Sequence, residues 1–134
     1  MKIEGVKHIG VAVKNLDECI ERFEKILGLE CRLRKRVEPG KVEVAVFDCG
    51  GTSIELVAPI GGDSPVAKFI SRGGGSLHHI CFQVDDIDAW LAFLNEQGAD
   101  LVDERPREGA FGDRIAFVGP KSVCNFLIEL AEEK

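Results

Sequence analysis

The residues best suited to chemistry come in matching pairs. His8 opens the segment His8-Ile9-Gly10-Val11-Ala12-Val13, and His79 opens His79-Ile80-Cys81-Phe82-Gln83-Val84, 71 positions later. Ile54-Glu55-Leu56 returns as Ile128-Glu129-Leu130, 74 positions later. Two imidazoles and two carboxylates make a mixed nitrogen and oxygen donor set that suits a divalent first-row metal. Singly, each residue reads as a hydrogen-bonded structural histidine or a solvent-facing glutamate. Recurring together in a duplicated chain, they point to one shared site with His8, Glu55, His79 and Glu129 as ligands. Gathering these groups in one cavity without a cation would be costly. His78 has the opposite strand parity to His79 and matches Lys7 rather than a histidine, so it falls outside the set.

The elements that hold these residues follow from periodicity. Residues 6–13 alternate and are rich in Val and Ile, which predicts a strand. Asp17 suits a helix N-cap, and Ile20, Phe23, Ile26 and Leu27 form a helical stripe that ends near Gly28. Three strands follow at 30–36, 42–48 and 53–58. The second half predicts a strand at 78–84, a helix at 86–97 closed by Gly98, and strands near 99–103, at 113–118 and at 125–131. Between the halves, Ser64 and Pro65 signal the start of a short helix, and Gly73-Gly74-Gly75 reads as a flexible link. The fold class is α+β: two tandem β-α-β-β-β modules forming a cupped mixed sheet around a metal site. Module one spans about 1–60, the connector 61–76 and module two about 77–134. A half of this size with one helix on one sheet face is marginal alone, so the expectation is a single domain, 1–134.

Strand parity assigns the faces. Ile9, Val11 and Val13, like Ile80, Phe82 and Val84, belong under the helices, which turns His8 and His79 to the other side. Ile54 and Leu56, like Ile128 and Leu130, leave Glu55 and Glu129 on that same side.

Composition excludes several classes. The net charge of −6 argues against nucleic-acid binding. No apolar run reaches the ~20 residues of a membrane span. The start, Met1-Lys2-Ile3-Glu4-Gly5-Val6-Lys7, lacks the pattern of a signal peptide, so the expected location is cytoplasmic. Cys19, Cys31, Cys49, Cys81 and Cys124 are odd in number and have no C-x-x-C spacing, which favours buried reduced thiols. Arg32-Leu33-Arg34-Lys35-Arg36 reads as a solvated strand, with a landing surface for an anionic small molecule as the sharper alternative.

The His on each first strand and the Glu on each last strand resemble the vicinal oxygen chelate superfamily, which includes glyoxalase I. The resemblance covers essentially the whole chain. Within the superfamily, several segments resemble the methylmalonyl-CoA epimerases: Ile54-Glu55-Leu56-Val57-Ala58-Pro59, Asp63-Ser64-Pro65-Val66-Ala67-Lys68-Phe69, Leu77-His78-His79-Ile80, and Pro120-Lys121-Ser122. Three places differ from that pattern: Gly119 where His is common, Val123-Cys124-Asn125 in place of a small-residue run, and Gly109-Ala110-Phe111-Gly112-Asp113-Arg114.

The resemblance implies interconversion of the (2R) and (2S) forms of methylmalonyl-CoA by proton abstraction beside the thioester, with a metal-stabilised enolate. It implies one divalent ion (Co, Ni, Zn, Mn or Mg), an acyl-CoA partner and a homodimer. It also implies Glu129 as ligand and base, with Glu43 as a second acid. With Val42, Val44 and Val46 taken as the core face, Glu43 is expected to face the cavity, and Arg114, its match in the second half, to do the same. Lys121 and Arg114 are candidates for carboxylate or phosphate contact. The alternatives are a lactoylglutathione lyase like glyoxalase I and a non-catalytic binding module of the same fold.

Overall fold

Alternating apolar residues need a covering layer, and in this chain each half supplies its own helices for that purpose. The computed structural model describes every residue except Pro39, Gly74 and Gly75. The link expected at Gly74 and Gly75 therefore lies outside the described residues. The elements are β1 (Ile3–Ala12), α1 (Leu16–Leu27), β2 (Cys31–Val37), β3 (Val42–Cys49), β4 (Thr52–Pro59), α2 (Pro65–Ser71), β5 (Leu77–Val84), α3 (Ile87–Glu96), β6 (Arg107–Glu108), β7 (Arg114–Val118) and β8 (Leu127–Glu132). The fold is α+β, with strands ordered β2-β3-β4-β1 in one half and β5-β8-β7-β6 in the other. Among the described residues, no helix is long and apolar enough to cross a membrane.

The chain divides into two compact units, His8–His78 and Met1–Lys7 with His79–Lys134. In the first, β1 pairs in parallel with β4, and β3 runs antiparallel to both β2 and β4. Both faces of this sheet are covered. α1 packs Leu16, Ile20 and Phe23 on Val11, Ala45, Phe47 and Leu56. α2 brings Val66, Phe69 and Ile70 onto the opposite set, Ala12, Val44, Val46 and Val57. Phe47 is fully buried and meets Phe23 with ring centroids 5.1 Å apart.

Local signals set the helix ends. The side chain of Asn15, not Asp17, caps α1 by accepting from the N–H of Glu18, and Gly28 closes the helix at φ 68°. Asp17 sits two residues past the cap, inside the first turn, and its carboxylate pairs with Arg34 at 2.6 Å. Ser64 caps α2 as expected, accepting from the N–H of Ala67, with Pro65 at the first position.

In the second unit β5 pairs in parallel with β8, and β7 is antiparallel to β8 and to the short β6. α3, capped by Asp86, packs Ile87, Leu91 and Leu94 on Phe82, Ala116, Val118 and Leu130. The strand expected near 99–103 is not a strand. Leu101 makes one isolated bridge to Val118, and the edge strand falls later, at Arg107–Glu108. The N-terminus ties into this unit through Lys2, whose N–H donates to the Asp85 carboxylate at 2.8 Å.

Candidate functional site

In the first unit, the register places Gly10 beside Glu55 and Ala12 beside Val57, so His8 and Glu55 share a sheet face. It is the face that α2, not α1, covers. Both side chains are buried, and His8 Nδ1 lies 3.2 Å from Glu55 Oε2. The second unit repeats the arrangement. Cys81 lies beside Glu129 on β5 and β8, His79 shares their face, and His79 Nε2 lies 3.4 Å from Glu129 Oε1. The equivalence extends to the third strand of each unit. Val46 stands opposite Glu55, and Phe117, 71 positions on, stands opposite Glu129.

These contacts suit ligation. A charge-assisted hydrogen bond runs about 2.7–2.9 Å, shorter than either pair. Two donors about 2.1 Å from one ion are separated by roughly 3.0 Å at a right angle and roughly 3.4 Å at a tetrahedral angle. Neutral imidazole and carboxylate are also the donor types a hard-to-borderline divalent ion accepts. All four side chains are buried, His8 and Glu55 in one unit and His79 and Glu129 in the other.

Phe117, Arg107 and Asp103 build a support for His79. The Phe117 ring meets the His79 ring edge-on, with centroids 5.9 Å apart. The Arg107 guanidinium lies 5.5 Å from the Phe117 centroid. Asp103 accepts from Arg107 Nε at 3.1 Å and from the Phe117 N–H at 2.9 Å. The duplication was the available signal for Phe117, because Val46 has the equivalent place beside Glu55. Arg107 lies on a two-residue edge strand with no periodicity to reveal it.

Glu43 and Arg114 are corrected in orientation. Glu43 stands opposite Ala58 and accepts from Arg34 at 3.0 and 3.3 Å. Ala58 belongs with Leu56 and Phe47 under α1, so Glu43 lies on the reverse side of the sheet from Glu55. Arg114 stands opposite Glu132 and bonds Asp88 of α3 at 2.9 Å, again on the helix side. The reason is that β3 is buried on both faces. Its branched residues Val44 and Val46 lie under α2, and Ala45 and Phe47 lie under α1.

His78 takes no part in the metal group. It meets Phe69 of α2 edge-on at 4.9 Å, and burial pushes its imidazole pKa down. Lys121 sits exposed in the 3-10 turn Pro120–Ser122. A side chain at Gly119 would collide with the Asp100 carboxylate, which accounts for glycine before Pro120. The basic cluster is ion-paired: Arg32 to Asp48 at 2.6 Å, Arg34 to Asp17 and Glu43, and Arg36 to Glu38 at 3.8 Å. All five cysteines are free. Cys81 is buried, but Cys49 and Cys124 are exposed, against the expectation of burial.

Residues 7–117 match the Glyoxalase/Bleomycin resistance protein/Dioxygenase superfamily, and the chain belongs to that superfamily. Among its relatives is an uncharacterized protein, YqjC, of Bacillus subtilis (strain 168). It is 39% identical over 127 residues, which cover 95% of this chain and 91% of YqjC. An ethylmalonyl-CoA/methylmalonyl-CoA epimerase of Cereibacter sphaeroides is 33% identical over 97% of this chain and 98% of its own. The solved structure of a methylmalonyl-CoA epimerase in complex with methylmalonyl-CoA and NH4+ matches with a TM-score of 0.92 at 30% identity. That match covers 98% of this chain and 96% of the other.

Proposed function

We propose that the chain is an isomerase that epimerises methylmalonyl-CoA, inverting the carbon between its thioester and its carboxylate. The observation that carries the reading is the pair of buried His–Glu contacts at equivalent places in the two halves. Epimerase relatives of matching length support the choice of substrate. A divalent cation held by His8, Glu55, His79 and Glu129 would supply a Lewis acid against the negative charge that develops on the thioester oxygen.

The chain's own part is proton transfer at C2. Inversion removes a proton from one face and returns one to the other. Two carboxylates are therefore needed on the side of the sheet that carries the histidines. Glu129 fits the first role: its carboxylate takes the C2 proton. Glu55, its equivalent by duplication, fits the second: in its protonated form it returns a proton to the opposite face. Glu43, bonded to Arg34 on the helix side, is not needed in this scheme. Burial of both acids keeps bulk water from competing for the carbanionic carbon.

The test is deuterium wash-in at C2 of methylmalonyl-CoA by the cobalt-loaded protein. Exchange is expected for the wild type, and a loss of at least about 10²-fold for Glu129→Gln and for Glu55→Gln. Glu43→Gln is expected to stay within about threefold of the wild type. A loss in Glu43→Gln as large as that in Glu129→Gln would return the second proton transfer to Glu43. No exchange in the wild type, with turnover of a glutathione hemithioacetal instead, would replace the epimerase reading with a lyase.

A further inference from the structure

Two opposite charges line one cavity of the second unit without meeting. The cavity, of about 320 Å³, lies between the C-terminal end of α3 and the turn that follows β7. Leu94, Val118 and Val123 give it apolar walls, and Asp100 and Lys121 bring a carboxylate and an ammonium to it. Neither charge has an ion-pair partner among the described residues. Leu94 and Val118 belong to the core under α3, so the cavity is on the reverse side of the sheet from His79 and Glu129.

The wall that carries these charges is held by backbone. The Gly119 N–H donates to the Asp100 carbonyl at 2.6 Å, and the Asp100 N–H donates to Ser122 Oγ at 2.6 Å. The cavity is thus formed before a ligand arrives, as small-molecule sites usually are. A second feature fixes the sign of the group it lacks. The carbonyl end of a helix carries roughly half a negative charge, which a basic residue in the last turn offsets. α1 has Lys25 there and α2 has Lys68, but α3 has no basic residue in its last turn. Gln97 and Gly98, which close α3, line the cavity beside Asp100. That side of the cavity is therefore negative on two counts, and Lys121 does not reach its carboxylate.

We infer that this cavity binds a free aliphatic α-amino acid. The ligand's ammonium sits between the Asp100 carboxylate and the last carbonyls of α3. Its carboxylate takes the Lys121 ammonium, and its side chain rests on Leu94, Val118 and Val123. Each kind of group lining the cavity then has its complement, through charge-assisted hydrogen bonds at both ends. An amine alone leaves Lys121 unmet, an anion alone leaves Asp100 unmet, and an apolar ligand leaves both. Asp100 and Lys121 are exposed, so each ion pair contributes modestly. A ligand of about nine non-hydrogen atoms is then expected to bind with Kd of about 1 mM. The site is independent of the epimerase reading, because it shares no residue with the proposed metal centre.

The experiment titrates the full chain with L-leucine and follows the backbone amides of Asp100, Lys121 and their neighbours by NMR. Three probes each lack one feature: 3-methylbutylamine the carboxylate, 4-methylpentanoate the ammonium and glycine the side chain. Each is expected to bind about fivefold or more weakly than L-leucine. Lys121→Met is expected to weaken L-leucine about fivefold and to hold 3-methylbutylamine within about twofold. Asp100→Asn is expected to weaken L-leucine and the amine alike, with 4-methylpentanoate held within about twofold. The shifts are expected to persist with EDTA present. Shifts that vanish in EDTA would assign them to chelation of a metal and overturn the inference. So would the absence of shifts at these amides at a leucine concentration about 20 times the expected Kd, or equal binding of L-leucine and 4-methylpentanoate.

Discussion

At the scale of single residues, the proposed ligands stand out in the sequence more clearly than their surroundings. His8, Glu55, His79 and Glu129 announce themselves because duplication repeats each type at a nearly constant distance. Glu43 was misplaced because alternation reveals a face only when the other face is wet. In β3, four successive residues from Val44 to Phe47 are buried, so period two cannot say which side holds the site. Phe117 shows what the site gains from its neighbours. Its ring packs edge-on against His79 and is braced by Arg107. Groups that orient a ligand typically change metal affinity 10–100-fold when removed. Phe117→Leu is therefore expected to weaken Co²⁺ binding about tenfold while keeping the fold, read by calorimetric titration alongside circular dichroism. Equal affinity in the variant would mean that β5 alone fixes the His79 ring.

At the scale of elements, caps and turns carry the testable energetics. Asn15 accepts from Glu18 N–H at 3.0 Å, and Ser64 accepts from Ala67 N–H at 3.0 Å. Asn15→Ala and Ser64→Ala are each expected to cost about 1 kcal/mol, with Ser64→Ala the larger because its hydroxyl is fully buried. Urea titration checks both, and equal costs would show that burial adds nothing to the cap. Most strands and all three helices were readable from period and capping chemistry. The strand expected near 99–103 failed because Leu101 and Val102 imitate strand composition, yet Val102 is exposed, and the contact with β7 is an isolated bridge at Leu101 with the Val102 and Asp103 N–H groups both donating to the Phe117 carbonyl. The N-terminal tie gives a pH signature. The Lys2 N–H bond, aided by the N-terminal charge, holds the Asp85 carboxyl below its usual range. A depressed folded-state pKa stabilises above the unfolded value of 3.8 and is lost as pH falls through the folded value. Asp85→Asn is thus expected to lower Tm at pH 7 and to match the wild type at the lowest pH that keeps the fold. A Tm gap that persists unchanged in acid would assign the effect to packing.

At the scale of the whole molecule, the duplication makes a choice between two stoichiometries. Each unit buries its own His–Glu pair, so each could bind an ion weakly by itself. Two-ligand sites are poor binders, because most of the shell remains water and the chain contributes little preorganisation. Four ligands on one ion, as proposed, would bind it more strongly than either pair. The proposed site therefore predicts one Co²⁺ per chain, not two, by titration and by native mass spectrometry. Binding to the folded state alone stabilises it by about 2.7 kcal/mol at an ion concentration 100 times Kd. For a chain of 134 residues that corresponds to a rise in Tm of roughly 5–10 °C. The decisive comparison is between halves. His8→Ala removes a donor from one unit and His79→Ala from the other, yet each is expected to abolish most of the Tm gain. If each variant instead kept half the gain and bound one ion where the wild type bound two, the halves would be independent sites. The sharing of one cation, and the proton chemistry built on it, would then have to be given up.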